Sequence, residues 1–244
     1  MQNYKLILEY DGTNYCGFQV QAHEKTIQAE LEAALEKLFQ KKIRIISCGR
    51  TDSGVHALCH VVNFKVATML KNRNIQDGLN RYLPRDIAVL SVAKAPETFH
   101  ARYGAKKKTY AYRILTRPVR SPLRQRYAVH TIYPLNVARM RKALKLLEGR
   151  HDFRSFASKM PKEKNTVRTM HRAAIRATGD ELVISLTANG FLYNMVRNIV
   201  GTVCLVGRGK MTIEEFVQAF RKKNRIVAGP TAPAHGLCLM KVRY

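Results

Sequence analysis

TIQAELEAALEKLFQKKIRIISCGRTDSGVHALCHVVNFKV, residues 26–66, changes its apolar period partway along, and that change decides the fold. Over Ile27–Phe39 the apolar residues recur at helical spacing. Ile27, Leu31, Ala34, Leu35 and Leu38 share a face, while Glu30, Glu32, Glu36 and Lys37 lie elsewhere. Ile43–Cys48 and Cys59–Val66 are rich in β-forming residues instead. Upstream, Lys5–Glu9 alternates apolar and polar side chains as a strand does. Downstream, a polar helical stretch ends at Leu83-Pro84, because proline disfavours helix in the residue before it. Ile87–Ala93 then reads as another strand.

The resulting order is β-α-β-β-α-β, the ferredoxin-like split unit. The second half repeats the theme. Strand-like Thr109–Leu115 leads through a Pro- and Arg-rich connector, Arg117–Arg126, to a helix over Asn136–Leu147 that is followed by Gly149. Arg168–Thr178 and Glu181–Thr187 are strands joined at Gly179-Asp180, a weaker hairpin signal than Asp-Gly. A helix over Phe191–Val206, a short one after Thr212 and a strand over Leu237–Val242 complete the pattern. The expected fold class is α+β: two ferredoxin-like (RRM-like) halves with mainly antiparallel sheets, 1–104 and 105–244.

Composition narrows the partner. Lys and Arg number 43 against 17 Asp and Glu, a formal net charge of +26 in 244 residues. Such an excess opposes compaction by self-repulsion and answers to a polyanion. A basic background proteome is the bland alternative. No basic amphipathic helix or lipidation signal points to a membrane, and no apolar run approaches the ~20 residues a spanning helix needs. The five cysteines form no CxxC pair, which fits reduced thiols in a cytoplasmic protein. No Cys/His spacing suggests zinc or another metal. Cys204–Lys210 resembles a phosphate loop only at Gly209-Lys210, with Cys204 at the first required glycine and Met211 replacing Ser/Thr, so no nucleotide cofactor is expected.

Cys48–Ala57 is the densest cluster of special residues, a loop between strand-like segments bracketed by Gly49 and Gly54. Asp52 is its sole acid and lies two positions from Arg50. A loop carboxylate near arginine remains ionised beside phosphate. Read alone, Asp52 is equally a turn aspartate capping backbone amides. Tyr110, Tyr112 and Lys108 share one strand face, suited to base stacking with a phosphate contact, or to a core with hydroxyls at its edge. Asn194, Arg197, Asn198 and Gly201 form a polar and small stripe on the Phe191–Val206 helix, where Arg197 is a buried partner for a carboxylate, a phosphate contact or a surface arginine. Lys106, Lys107, Lys108, Arg117, Arg120, Arg124 and Arg126 are phosphate candidates or solvated charges. His56 is a candidate to orient the loop. His151-Asp152 invites a dyad reading, but no GxSxG nucleophile accompanies it.

GRTDSGVHA, residues 49–57, resembles the catalytic loop of the tRNA pseudouridine synthase A family, written GRTDxGVHA. The likeness continues in LEYDGTNYCGFQ, FHARYGAKKKTYAYRI, GRHDFRSFA, GFLYNMVRNIVGT and TAPAHGLCL, in the family's order and over nearly the whole chain. The resemblance implies the pseudouridine synthase fold with an active-site cleft between the halves. It implies isomerisation of uridine to pseudouridine in the tRNA anticodon stem-loop, at positions 38, 39 or 40, by a homodimer needing no metal or organic cofactor. By position, Asp52 matches the essential aspartate and Tyr110 the ring that stacks on the target uracil. Arg197 matches the arginine that pairs with that aspartate, and Arg50 the one that fills the gap left by the flipped base. Ser53 stands where alanine is common, Asn194 where histidine is frequent, and Gly78-Leu79-Asn80 replaces Ala-Leu-Asn. These departures leave open another RNA target, such as ribosomal RNA, or a non-catalytic RNA-binding protein on the same scaffold.

Overall fold

The fold comes from a computed structural model that describes residues 1–159 and 165–244. In β1 (Gln2–Tyr10) alternation places Tyr4, Leu6, Leu8 and Tyr10 in the core, each 3% exposed or less. β1 is the middle strand of the first unit. It pairs antiparallel with β3 (His56–Val66) on one side and β4 (Ile87–Ala95) on the other. A short β2 (Ile46–Ser47) lies antiparallel on the far end of β3, and β10 (Leu237–Arg243) runs parallel beside its start. Helices α1 (Ile27–Phe39) and α2 (Asn72–Tyr82) pack on each other and bury Ile27, Leu31, Leu35, Ile75 and Leu79. Their approach is close: a Cβ at Gly78 would meet Leu38 Cδ1 at 2.7 Å. Thr26 caps α1 by accepting from Ala29 N–H, and α2 ends where Leu83 turns extended ahead of Pro84.

The second unit begins with β5 (Lys107–Leu115), and its sheet also contains β7 (Gly149–Asp152), β8 (Val167–Thr178) and β9 (Glu181–Ala188). Its strand order is β5-β9-β8-β7, antiparallel throughout, with β6 (Val129–His130) parallel to the end of β5. The β8–β9 hairpin closes in two residues, with Gly179 at φ +57°. Helix α3 (Val137–Lys145) packs on β8 and on α4 (Met195–Gly207), and α5 (Ile213–Arg221) opens with a Thr212/Glu215 capping box. Ten of the thirteen α4 residues are buried, so this helix is covered nearly all round. One cover is backbone: a Cβ on Gly201 would sit 1.7 Å from the Pro230 carbonyl oxygen. The protein is therefore a mixed α+β fold with mainly antiparallel sheets.

Several sequence expectations differ from this structure. Only two residues of Ile43–Cys48 join a ladder; Ile43 and Ile45 are buried outside it, so their apolarity serves packing instead of pairing. The helix expected from Phe191 starts at Met195, because Asn194 adopts a left-handed φ of +58° ahead of it. β6 and β7 were not expected, and Gly149 opens β7 instead of merely ending the preceding helix. The compact units are Met1–Lys106 with Cys238–Tyr244, and Lys107–Leu237. The last strand thus leaves the expected 105–244 half, consistent with its parallel pairing to β3.

Gly201→Ala is expected to cost about 1–3 kcal/mol or more, since α4 and the 229–232 backbone must separate. Urea denaturation followed by circular dichroism measures it. An unchanged midpoint would show that the crossing has slack.

Candidate active site

The 49–57 loop has few large side chains of its own, so its shape comes from the segment it lies against. Main-chain bonds run from Phe18 N–H to the Thr51 carbonyl, 3.1 Å, and from Gly54 N–H to the Tyr15 carbonyl, 3.4 Å. Ser53 Oγ donates to the same Tyr15 oxygen at 3.1 Å, and Val55 N–H closes the turn on the Asp52 carbonyl at 3.1 Å. The two backbones touch. A Cβ at Gly12 would lie 2.1 Å from the Val55 oxygen, and one at Gly17, φ +91°, 2.8 Å from the Thr51 oxygen. Beneath the turn, Tyr10 Oη lies 2.8 Å from Thr51 Oγ1 and 3.0 Å from His60 Nδ1, and Phe18 stacks on His60 at 4.0 Å. Asp52 is half-buried at the apex, while Arg50 is exposed on the same turn.

His56 is 5% exposed, with Nδ1 3.1 Å from both Gly12 N and Asp11 Oδ1. Nδ1 accepts from Gly12 N–H, so His56 ties the loop's exit to the Asp11-Gly12 turn. The motif around Gly12, Tyr15 and Gly17 was visible in the sequence, but its task as the cradle of Asp52 was not.

In the second unit, Arg197 lies in the first turn of α4. Its Nε donates to the Ala232 carbonyl at 2.7 Å and its Nη1 to Asn194 Oδ1 at 3.0 Å. Tyr112, also in β5, sends its hydroxyl to the next carbonyl, Pro233, at 2.8 Å, and its ring is pressed against Gly236. Burial first pushes the Tyr112 phenol well above its ordinary range. Tyr112 is therefore a core tyrosine. Tyr110, two residues earlier, is 9% exposed and meets Phe191 edge-on at 5.1 Å. The 231–236 segment thus holds both Tyr112 and Arg197.

Asn198, fully buried, fastens the same region. Its amide donates to the Phe156 carbonyl, 2.8 Å, and to Ser158 Oγ, 3.0 Å. Its oxygen accepts from Arg225 Nη2, 3.0 Å, and Thr231 Oγ1, 2.6 Å. Sequence spacing marked Asn198 as part of a polar stripe without revealing these partners, which come from three separate segments.

The basic candidates divide. Lys106 and Arg120 are exposed, and Lys107 and Lys108 are half-buried on β5. Arg124, a phosphate candidate, forms a two-pronged pair with Asp180 in the β8–β9 turn, 2.8 and 3.0 Å, and its side chain stays partly exposed. Arg117 folds its guanidinium onto the carbonyls of Val119 and Arg120, at 2.7 and 3.0 Å. His151 and Asp152 do not form a dyad. His151 Nε2 meets the Glu148 carbonyl, and Asp152 accepts from Thr166 Oγ1 and Arg154 N–H. Among the described residues no group of three His, Cys, Asp or Glu is placed to hold a metal ion, and no helix is long and apolar enough to cross a membrane.

A family model described as tRNA pseudouridine synthase matches residues 6–104 and 143–244. A protein of Thermoanaerobacter named tRNA pseudouridine synthase A is 43% identical over 244 residues, covering all of both chains. Its namesake in Exiguobacterium is 44% identical, covering 100% of this chain and 98% of its own. That of Halalkalibacterium halodurans is 43% identical over 97% of this chain and 90% of its own. A solved Cbf5–Nop10–Gar1 complex aligns at 11% identity with a TM-score of 0.39, over 96% of this chain and 57% of its own, too slight a likeness to carry an argument.

The Arg124–Asp180 pair makes a pH-dependent prediction. Arg124, mainly through its hydrogen bonds, lowers the Asp180 carboxyl below its usual value of 3.8. A depressed folded value stabilises above the unfolded pKa and ceases to do so as pH falls through the folded one. Arg124→Gln should therefore be less stable than wild type at neutral pH, with the gap closing below about pH 4. Denaturation midpoints across that range test this, and a gap independent of pH would assign the effect to packing.

Proposed function

This chain belongs to the tRNA pseudouridine synthase family, and from that premise we propose that it isomerises uridines in the tRNA anticodon stem-loop with Asp52 as the catalytic carboxylate. The observation that carries the assignment of Asp52 is the clamped 49–57 turn, which offers one acid at its apex on a fixed backbone. The reaction breaks the N1–C1′ bond, turns the uracil while it is held, and joins C5 to the sugar. A carboxylate serves either as nucleophile at C1′ or as base at C2′, and both routes need an anion beside a sugar that gains positive charge. A glycosidase uses two carboxylates to protonate the leaving group and bring in water; here a single acid and an enclosed base suffice, since water must be kept from the sugar.

Tyr110 is assigned to stack on the target uracil. Its ring is already ordered edge-on by Phe191, so stacking requires little further immobilisation. A base–aromatic stack is worth ~1–3 kcal/mol, comparable with the few kcal/mol needed to flip the nucleotide. Arg50, exposed beside Asp52, is assigned to the vacated space. Arg197 is assigned to pair with the Asp52 carboxylate, with its orientation preset by Ala232 and Asn194. Lys106, Lys107, Lys108, Arg120 and Arg124 are assigned to the RNA backbone. In this reading the enzyme works in the cytoplasm as a homodimer of two ferredoxin-like halves per chain, without metal or organic cofactor.

Pseudouridine mapping at single-nucleotide resolution on unmodified tRNA transcripts tests the reaction. Wild type should convert anticodon stem-loop uridines without added cofactor, and Asp52→Asn should lower the rate by at least about 10²–10⁴-fold while still binding RNA. Conversion confined to ribosomal RNA fragments would change the substrate, and equal conversion by the variant would remove Asp52 from the chemistry. RNA affinity should fall with rising salt, and replacing Lys106 and Lys107 by alanine should lower the slope by about 0.7 for each phosphate that is no longer neutralised. An unchanged slope would exclude both lysines from the RNA backbone.

A further inference from the structure

Two groups of the Asp52 turn share one carbonyl. The Tyr15 oxygen accepts both Gly54 N–H and Ser53 Oγ, the two groups that directly follow Asp52. What holds Tyr15 therefore steadies the backbone that directly follows Asp52. Its own amide bonds the Gly12 carbonyl at 3.1 Å, and its side chain, 2% exposed overall, sends the hydroxyl to Asp86 Oδ1 at 2.5 Å. Asp86 is itself fixed, because Asp11 N–H donates to its carbonyl at 2.9 Å and Ile87 N–H bonds Pro84 at the turn into β4. Lys25 Nζ lies over the Tyr15 ring at 4.8 Å and closes the other side. Burial, then the Asp86 hydrogen bond, raises the phenol far above its ordinary value, so it remains a donor at any working pH.

We propose that Tyr15 and Asp86 are positioning residues for the isomerisation: their hydrogen bond ties the backbone that carries Asp52 to the turn between α2 and β4. The proposal rests on the reading of Asp52 given above. Neither side chain is assigned contact with the substrate. Their effect is on where the carboxylate stands when the base is detached, and displacement of a reacting group by ~1 Å costs on the order of 10²-fold in rate. An interaction that acts on geometry alone lowers the chemical step and leaves RNA binding in place.

The test is single-turnover conversion at saturating enzyme, with RNA dissociation constants and melting temperatures measured on the same preparations. Tyr15→Phe and Asp86→Ala should each slow conversion by about tenfold or more, with RNA affinity within about twofold of wild type. Asp86→Asn keeps an oxygen acceptor for the phenol and should recover most of the rate. The double variant Tyr15→Phe/Asp86→Ala should be no slower than either single one, since both remove the same bond. Full-rate conversion by Tyr15→Phe overturns the proposal. So does a loss that scales only with the fraction of unfolded protein, or an Asp86→Asn variant as slow as Asp86→Ala. Wild type and Asp52→Asn run alongside keep the two ideas apart. If wild type converts no uridine, the isomerase reading fails; if wild type converts, Asp52→Asn does not and Tyr15→Phe converts at full rate, only the positioning role fails.

Discussion

Direct backbone contact between residues 12–18 and the 49–57 turn is the constraint on which the first unit's chemistry depends. The 49–57 turn is short of apolar side chains to pack, so it needs another source of rigidity. Here that source is main-chain hydrogen bonding at contact distance, which glycine at positions 12 and 17 permits. Glycine loses more backbone freedom on folding than any other residue. The aromatic layer beneath, with Tyr10, Phe18 and His60 in mutual contact, contributes the burial that offsets it. The arrangement also couples the turn's fate to β1 and β3, the central pair of the sheet, which supply Tyr10, His56 and His60.

The second unit solves a related problem with a polar hub. Asn198 gathers groups from the 156–158 segment, Arg225 and Thr231, and satisfies both ends of its amide. A buried amide left without partners would cost ~1–3 kcal/mol, so the hub favours only arrangements in which all three segments are in place. The Arg225 guanidinium is lowered below its usual pKa by desolvation, a sign that burial acts on it, and its bonds to Asn198, Thr231 and Ala228 answer that cost. Thr202 accepts Gly229 N–H next to the Gly201 crossing, so the backbone from 229 to 233 lies along α4 with its carbonyls at Ala232 and Pro233 turned to Arg197 and Tyr112. The starting turn of α4 is thereby oriented by loop backbone as much as by its own packing.

Charge is divided between these tasks. With 17 acidic residues for 43 basic ones, most cations have no internal acid to pair with. Some of the acids that form pairs stand at structural joints, such as Asp180 in a hairpin turn with Arg124 and Asp152 at the end of β7 with Lys223. What remains is a cationic surface whose self-repulsion a polyanion relieves.

Helix α1, the central strands, the glycine-bracketed 49–57 segment and the identity of the family were legible in the sequence, because period, turn chemistry and contiguous motifs are local properties. Asp52 and Arg50 stood out as candidates for the same reason, as neighbours in one short stretch. The tie of Tyr15 to Asp86, the hub at Asn198, the pairing of Arg124 with Asp180 and the transfer of the last strand to the first unit were not. Each joins residues that are far apart in the chain, and residue type alone does not say which distant backbone carbonyl or carboxylate will face it. The sequence by itself determined which elements form and which chemistry is present. Tertiary structure alone decided which groups hold that chemistry still, because hydrogen-bond partners 27, 56 and 71 residues apart are set by packing, and packing exists only once the chain is folded.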